Sequence, residues 1–400
     1  MDMEATADAR SAPLDATAME ADIDVGSIMD GGTIVESDAA PLPMWPSPPA
    51  YLGGDRPARY YRPLNHNPEV PAPLMILLHG FSSSGTGTDY YFQLSDQTRE
   101  NGIILVVPEG RENRDGYRFW AATDYCCDYY GDGDVDVDYI KGLIEEAAEY
   151  FAIDRTRVSL VGHSNGGFMS YRMACDASNS ITSLVSLAGT SWADPADCSH
   201  TAPVSVLQVH GTWDGDIRYA GRRAVAGDPM APWNFDACQT MSCADPVTAC
   251  AEREGCTRIW DCCNECGWGD RDLDCRIACY DAELVGDQIA WMQEFTCVLN
   301  AGCYDNPAES SSGYSGALET VERWVERNGC QGDPEAPEPH DLDRVLFGAD
   351  TSRLEWSDCS RGTGAALWTI VNGAHSPQFS SNFGARVIEW VLENGRRAEE

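Results

Sequence analysis

Val161-Gly162-His163-Ser164-Asn165-Gly166-Gly167 follows the apolar run Val158-Ser159-Leu160 and precedes Phe168-Met169-Ser170-Tyr171-Arg172-Met173-Ala174. The order reads as strand, sharp turn, helix. In a G-x-S-x-G elbow the serine takes a strained backbone conformation, and the flanking glycines carry no Cβ to clash with the adjoining strand and helix. Ser164 is then expected to stand above the sheet as a nucleophile. The helix that starts after it points its partial positive end at the reacting centre, with the Asn165 N–H facing a developing oxyanion. The competing reading is a glycine-rich loop around an ordinary serine, and partner residues elsewhere have to decide.

Outward from the elbow, strands and helices alternate. Leu74-Met75-Ile76-Leu77-Leu78 and Ile103-Ile104-Leu105-Val106-Val107 are continuous apolar runs suited to strands buried on both faces. Strand signals begin at Arg59-Tyr60-Tyr61, and residues 88–100 read as one helix. Val137, Ile140, Leu143, Ile144, Ala147 and Phe151 recur at helical spacing before the elbow strand. Leu184 to Leu187, Val204 to Val209 and Ala366 to Val371 are further strands, with helices expected over 316–328 and 383–393. This pattern predicts an α/β fold with a mostly parallel sheet and helices on both faces.

The formal net charge of −37 over 400 residues argues against nucleic acid or an anionic membrane surface as partner. No run reaches the ~18 to 20 consecutive apolar residues of a membrane helix. Seventeen cysteines, an odd number, point to an oxidising compartment and disulfides. The opening residues show neither the basic nor the apolar region of an export signal, so that signal is expected upstream or already removed. Residues 1–50 read as a disordered acidic stalk in which Trp45 docks on the domain.

An activated serine needs a base and an acid from strand ends on the same sheet edge. His375 follows the last strand in Asn372-Gly373-Ala374-His375-Ser376-Pro377, a turn-rich loop at a carboxyl end. His79 and His210, each in a His-Gly pair after a strand, are expected to orient loops. His210-Gly211-Thr212-Trp213-Asp214-Gly215-Asp216 offers two acids, of which Asp214 is chosen to hold the His375 imidazole and Asp216 is the alternative. The second oxyanion donor belongs to the loop after the first buried strand, at Phe81 or Ser82.

These segments, with Leu77-Leu78-His79-Gly80 and Phe119-Trp120 followed by Cys126-Cys127, together resemble the LpqC-like polyhydroxybutyrate depolymerase and feruloyl esterase group of secreted α/β hydrolases. The resemblance covers about residues 55–220 and 315–395. It implies an α/β-hydrolase fold and ester hydrolysis through Ser164, Asp214 and His375, with backbone donors at Phe81 and Asn165 and no cofactor or metal. Substrates in this group are polyesters, feruloyl or acetyl esters of plant polysaccharides, and small esters. Trp120, Trp192, Trp213 and Tyr219 are candidates to line the pocket, with burial in the core as the alternative. The resemblance also suggests that Cys330 pairs with Cys359, and that vicinal Cys126 and Cys127 reach toward Cys175 and Cys198.

The pattern is interrupted over 221–309, where eleven cysteines crowd together. A disulfide-stapled insertion is expected there, with catalytic-domain segments at 51–220 and 310–400 on either side. Zinc is the other reading of Cys263-x-x-Cys266 and Cys275-x-x-x-Cys279, disfavoured because the segment has no histidine. Asp132-Gly133-Asp134-Val135-Asp136-Val137-Asp138 lacks the glycine and terminal acid of a calcium loop, and reads as a solvated helix start. Two other readings compete with the esterase: a serine peptidase, and an inactive hydrolase-fold module that binds through the cysteine-rich insert.

Overall fold

The computed structural model describes residues 46–222 and 312–396. The cysteine-rich insertion beyond residue 222 and the stalk before residue 46, Trp45 included, lie outside the described residues. Residue 49 already belongs to the domain, because the Tyr60 hydroxyl donates to the Pro49 carbonyl at 2.9 Å.

The strands are β1 (Arg59–Tyr61), β2 (Ala72–Leu78), β3 (Ile104–Val107), β4 (Arg111–Glu112), β5 (Arg118–Phe119), β6 (Ile153–His163), β7 (Ser183–Leu187), β8 (Ser205–Gly211), β9 (Gly221–Arg222), β10 (Tyr314–Ser315), β11 (Thr351–Trp356) and β12 (Ala365–Ile370). Eight of them form one sheet in the order β1-β3-β2-β6-β7-β8-β12-β11. The six inner strands run parallel, and β1 and β11 close the edges antiparallel.

The helices are α1 (Gly85–Phe92), α2 (Leu94–Glu100), α3 (Asp134–Tyr150), α4 (Asn165–Asp176), α5 (Ala317–Arg327) and α6 (Asn382–Glu393). Alternation along a strand sends successive side chains to opposite faces. Leu74, Ile76 and Leu78 of β2 therefore join the apolar layer under α3, α4 and α5, while Met75 and Leu77 join the layer under α2 and α6. Both faces of the sheet are covered, as a parallel sheet requires.

Three differences from the sequence-based expectations bear on how the fold is held together. The single helix expected over 88–100 is broken at Gln93, which adopts a left-handed φ of 55°. The Asp89 carboxylate accepts the Ser95 N–H at 2.8 Å and so replaces an intrahelical acceptor at the break. Asp136, expected in a solvated helix start, is fully buried. It pairs with Arg56 at 2.6 Å and Arg111 at 3.3 Å and accepts the Ala121 N–H at 2.9 Å, the partners a buried carboxylate needs. Finally, Cys330 bonds to Cys359 as the resemblance suggested, but Cys126 and Cys127 do not pair with Cys175 and Cys198: those two bond to each other, and the vicinal pair are free thiols. Cys175, in the last turn of α4, lies 5.0 Å Cα to Cα from Cys198, which leaves the vicinal pair at the wall of a cavity described next.

Candidate active site

Four loops leave the carboxyl ends of β2, β6, β8 and β12 and meet at one rim. Ser164 follows β6 with φ 54° and ψ −117°, a conformation costly for a residue with a side chain. Packing enforces it: a Cβ on Gly166 would come within 2.6 Å of the Leu78 carbonyl carbon, and one on Gly189 within 2.5 Å of the Ser164 carbonyl oxygen. Inside the elbow, Asn165 is fully buried. Its side chain bonds the Trp120 backbone twice, accepting the N–H at 2.7 Å and donating to the carbonyl at 2.8 Å.

The acid and base loops are clamped together by backbone bonds. Trp213 N–H donates to the Gly373 carbonyl at 2.9 Å, and Asn372 N–H to the Thr212 hydroxyl at 2.8 Å. Asp214 Oδ2 lies 2.8 Å from His375 Nδ1, and its Oδ1 accepts the Asp216 and Ile217 N–H groups at 2.9 and 2.7 Å. Burial alone would raise this carboxyl. The adjacent His375 and His210 outweigh it and hold the group at about 2. Asp216, the alternative acid, lines the cavity that also holds Ser164, and its backbone N–H donates to Asp214.

Three further histidines tie the loops together, each in a tautomer its partners dictate. His79 Nε2 lies 2.8 Å from the Gly110 N–H, which can only donate, so Nδ1 carries the proton and gives it to the Gly80 carbonyl at 2.8 Å. His163 lies 3.1 Å through Nε2 from the His375 carbonyl, which can only accept. Burial, then repulsion from His375, lowers His163 to about 4, so it is neutral near pH 7.

His210 reaches Asp214 Oδ2 through Nε2 at 3.1 Å and the Ile217 carbonyl at 2.7 Å. Its Nδ1 accepts from Gln208 Nε2 at 3.0 Å. That amide end is fixed because it also donates to the Gly189 carbonyl at 2.8 Å, while Gln208 Oε1 accepts from the Tyr171 hydroxyl at 2.9 Å. The chain from Tyr171 through Gln208 and His210 thus ends on the carboxylate that meets His375. Gln208 was not anticipated, although an amide side chain inside the apolar run Val204-Ser205-Val206-Leu207-Gln208-Val209 is the signal that could have found it.

Ser164, His163 and His375 line a cavity of about 670 Å³ with Phe81, Tyr91, Tyr125, Cys126, Cys127, Tyr129 and Asp216. A Cβ on Gly80 would lie 3.5 Å from the Ser164 Cβ, so the loop after β2 rests against the elbow. The Ser82 N–H is given to the Arg118 carbonyl at 2.8 Å. Among the described residues, the Phe81 and Asn165 N–H groups are given to no acceptor, unlike that of Ser82.

The four aromatic candidates from the sequence lie outside this cavity. Trp120 is fully buried behind Asn165, Trp192 is buried beneath Arg172, and Trp213 lines a neighbouring pocket. The Tyr219 hydroxyl bonds Thr369 at 2.8 Å. Phe81, Tyr91, Tyr125 and Tyr129 take their place.

A parallel sheet with a strained elbow serine after one central strand, and an aspartate and a histidine in contact after two later ones, defines an α/β hydrolase. The chain belongs to the putative esterase family, whose model matches residues 50–252. It is similar to the putative esterase NocK of Nocardia uniformis subsp. tsuyamanensis, 28% identical over 196 residues, 48% of this chain and 55% of that protein. Feruloyl esterase D of Neurospora crassa is 26% identical over 169 residues, 40% of this chain and 53% of its own length. The bifunctional acetylxylan esterase/xylanase XynS20E of Neocallimastix patriciarum is 25% identical over 167 residues, 42% of this chain and 22% of that protein. The chain thus spans about half, or less, of the curated relatives it matches.

Proposed function

We propose that this chain is a secreted serine carboxylic ester hydrolase whose substrates are feruloyl or acetyl esters, with Ser164 as nucleophile, His375 as base and Asp214 as the acid that orients it. The observation that carries this reading is the 2.8 Å contact between buried Asp214 and His375, which lines the same cavity as Ser164. His375 takes the Ser164 proton as Oγ attacks the ester carbonyl, and the oxyanion forms beside the Phe81 and Asn165 N–H groups. Collapse expels the alcohol, which takes the proton from His375, and leaves an acyl-enzyme. Water, deprotonated by His375, then releases the acid and restores the serine.

Family membership and the acetylxylan and feruloyl esterases among the relatives support the ester class. Four aromatic rings around a cavity of about 670 Å³ suit an aryl acyl group. Two disulfides in the described core support an extracellular setting.

The test is hydrolysis of p-nitrophenyl acetate, methyl ferulate, acetylated xylan and polyhydroxybutyrate by the wild type and by Ser164→Ala. The wild type is expected to cleave the first three, and the variant to lose at least about 10³-fold in kcat. Retained turnover in Ser164→Ala would sink the assignment, and preference for the polyester would replace the substrate class.

A further inference from the structure

Cys126 and Cys127 are adjacent, nearly buried at 6% and 7% exposure, and face the cavity that holds Ser164. The mechanism above uses neither. Cys127 follows Cys126 directly in the wall, and Tyr129 lines the same cavity. Cys126 Sγ in turn accepts from Asn165 Nδ2 at 3.5 Å, and Asn165 is the residue whose backbone N–H is assigned to the oxyanion.

We propose that Cys126 and Cys127 form a thiol–disulfide exchange site in the wall of the catalytic cavity, taking small disulfides as co-reactant and closing to a vicinal disulfide. The two sulfurs are not equivalent. Hydrogen bonds from Cys126 and Tyr129 lower the Cys127 thiol against the effect of burial, whereas burial pushes the Cys126 thiol well up. Cys127 is therefore the attacking group. Its thiolate attacks one sulfur of a low-molecular-weight disulfide such as oxidised glutathione, expelling one thiolate and leaving a mixed disulfide on Cys127. Cys126 then attacks the Cys127 sulfur and expels the second thiolate, and the protons of the two cysteines end on the two released thiols. Two protein thiols are oxidised and one external disulfide is reduced.

Closure draws the Cys126 sulfur toward Cys127 and away from Asn165. One support of the residue next to the nucleophile is then weakened. Only this consequence rests on the esterase reading.

The sequence isolates the pair for measurement. Trypsin cuts after Arg118 and Lys141, and the peptide Phe119 to Lys141 holds no other cysteine. The full chain is mildly reduced and divided, and half is treated with oxidised glutathione. Both halves are then denatured, alkylated and digested. The untreated peptide is expected to carry two alkyl groups. The treated one is expected to carry none, to weigh two hydrogens less than the dithiol, and to regain both labels after reduction.

Cys126→Ser, which lacks the resolving thiol, is expected to trap glutathione on Cys127. In the wild type, closure is expected to change kcat for p-nitrophenyl acetate by about threefold or more, the scale of one hydrogen bond. Two labels persisting after oxidant, or a stable glutathione adduct in the wild type, would overturn the exchange site. Closure with unchanged kcat would overturn its link to catalysis. Labelling requires no turnover, so an inactive protein would refute the proposed function without touching the thiol assignment.

Discussion

Asp214, the acid proposed for the triad, shows how much of a buried carboxylate is set by what surrounds it. Two backbone N–H groups, His210 and His375 all meet one buried carboxylate. Asp214→Asn is expected to lower kcat by about 10⁴-fold, because an amide can favour the wrong His375 tautomer. Asp216→Asn leaves that contact in place and is expected to cost less than about tenfold; reversed magnitudes in steady-state kinetics would exchange the two roles. The two candidate aspartates and the chain order of the proposed serine, acid and base are readable from the motifs after each strand. Phe81 was the donor that the resemblance implied; what the sequence does not show is that the Arg118 carbonyl takes the Ser82 N–H.

His163 gives a second consequence at the same scale. It sits at about 4 in the folded chain against an ordinary 6.5, so as pH falls the unfolded chain takes up that proton first. Its contribution is a loss of stability as pH drops from 6.5 toward 4. Asp214, lowered from 3.8 to about 2, adds a further loss as pH falls through that lower range. His163→Gln, which keeps a donor toward the His375 carbonyl, is expected to flatten the dependence of Tm on pH between 6.5 and 4. Parallel curves for variant and wild type would contradict this.

Among elements, the elbow strand and its helix were legible because glycine spacing and apolar runs coincide there. The structure adds the reason for Gly166, whose missing Cβ makes room for the Leu78 and His79 carbonyls of the neighbouring strand end. Gly166→Ala is expected to destabilise the chain by about 3 kcal/mol, since backbone cannot yield as a side chain does. Urea unfolding would measure it, and an unchanged midpoint would mean that β2 and α4 can separate. The Gln93 break and strand β11 were missed for related reasons. A side-chain cap decides the first, and Thr351-Ser352-Arg353-Leu354-Glu355-Trp356 acquires strand character from pairing with β12 more than from its own apolar content. The ring-lined cavity was also hidden, because Phe81, Tyr91, Tyr125 and Tyr129 come from separate segments that only folding brings together.

At the scale of the molecule, cysteine number indicated disulfides without indicating partners. The Cys330–Cys359 bond spans 29 residues and ties the segment after α5 to the one after β11. In the chain-entropy account a loop of that length is stabilised by about 3.5 kcal/mol. Replacing both cysteines with serine is expected to lower Tm by several degrees while leaving the Ser164 rim assembled, as read by labelling with a fluorophosphonate. Loss of labelling at temperatures where the far-ultraviolet spectrum is intact would show that the bond reaches the rim.

Gly221 and Arg222 pair antiparallel with Ser315 and Tyr314, and the Ser315 N–H is fastened to the Ser191 carbonyl at 3.1 Å. The described chain thus stops and resumes at two strands that are stitched to each other. Doubling the length of whatever is carried between them adds only about 0.6 kcal/mol of closure entropy. Ends held side by side in this way can receive a longer, shorter or unrelated connection without disturbing the seam or the strands that carry Ser164, Asp214 and His375.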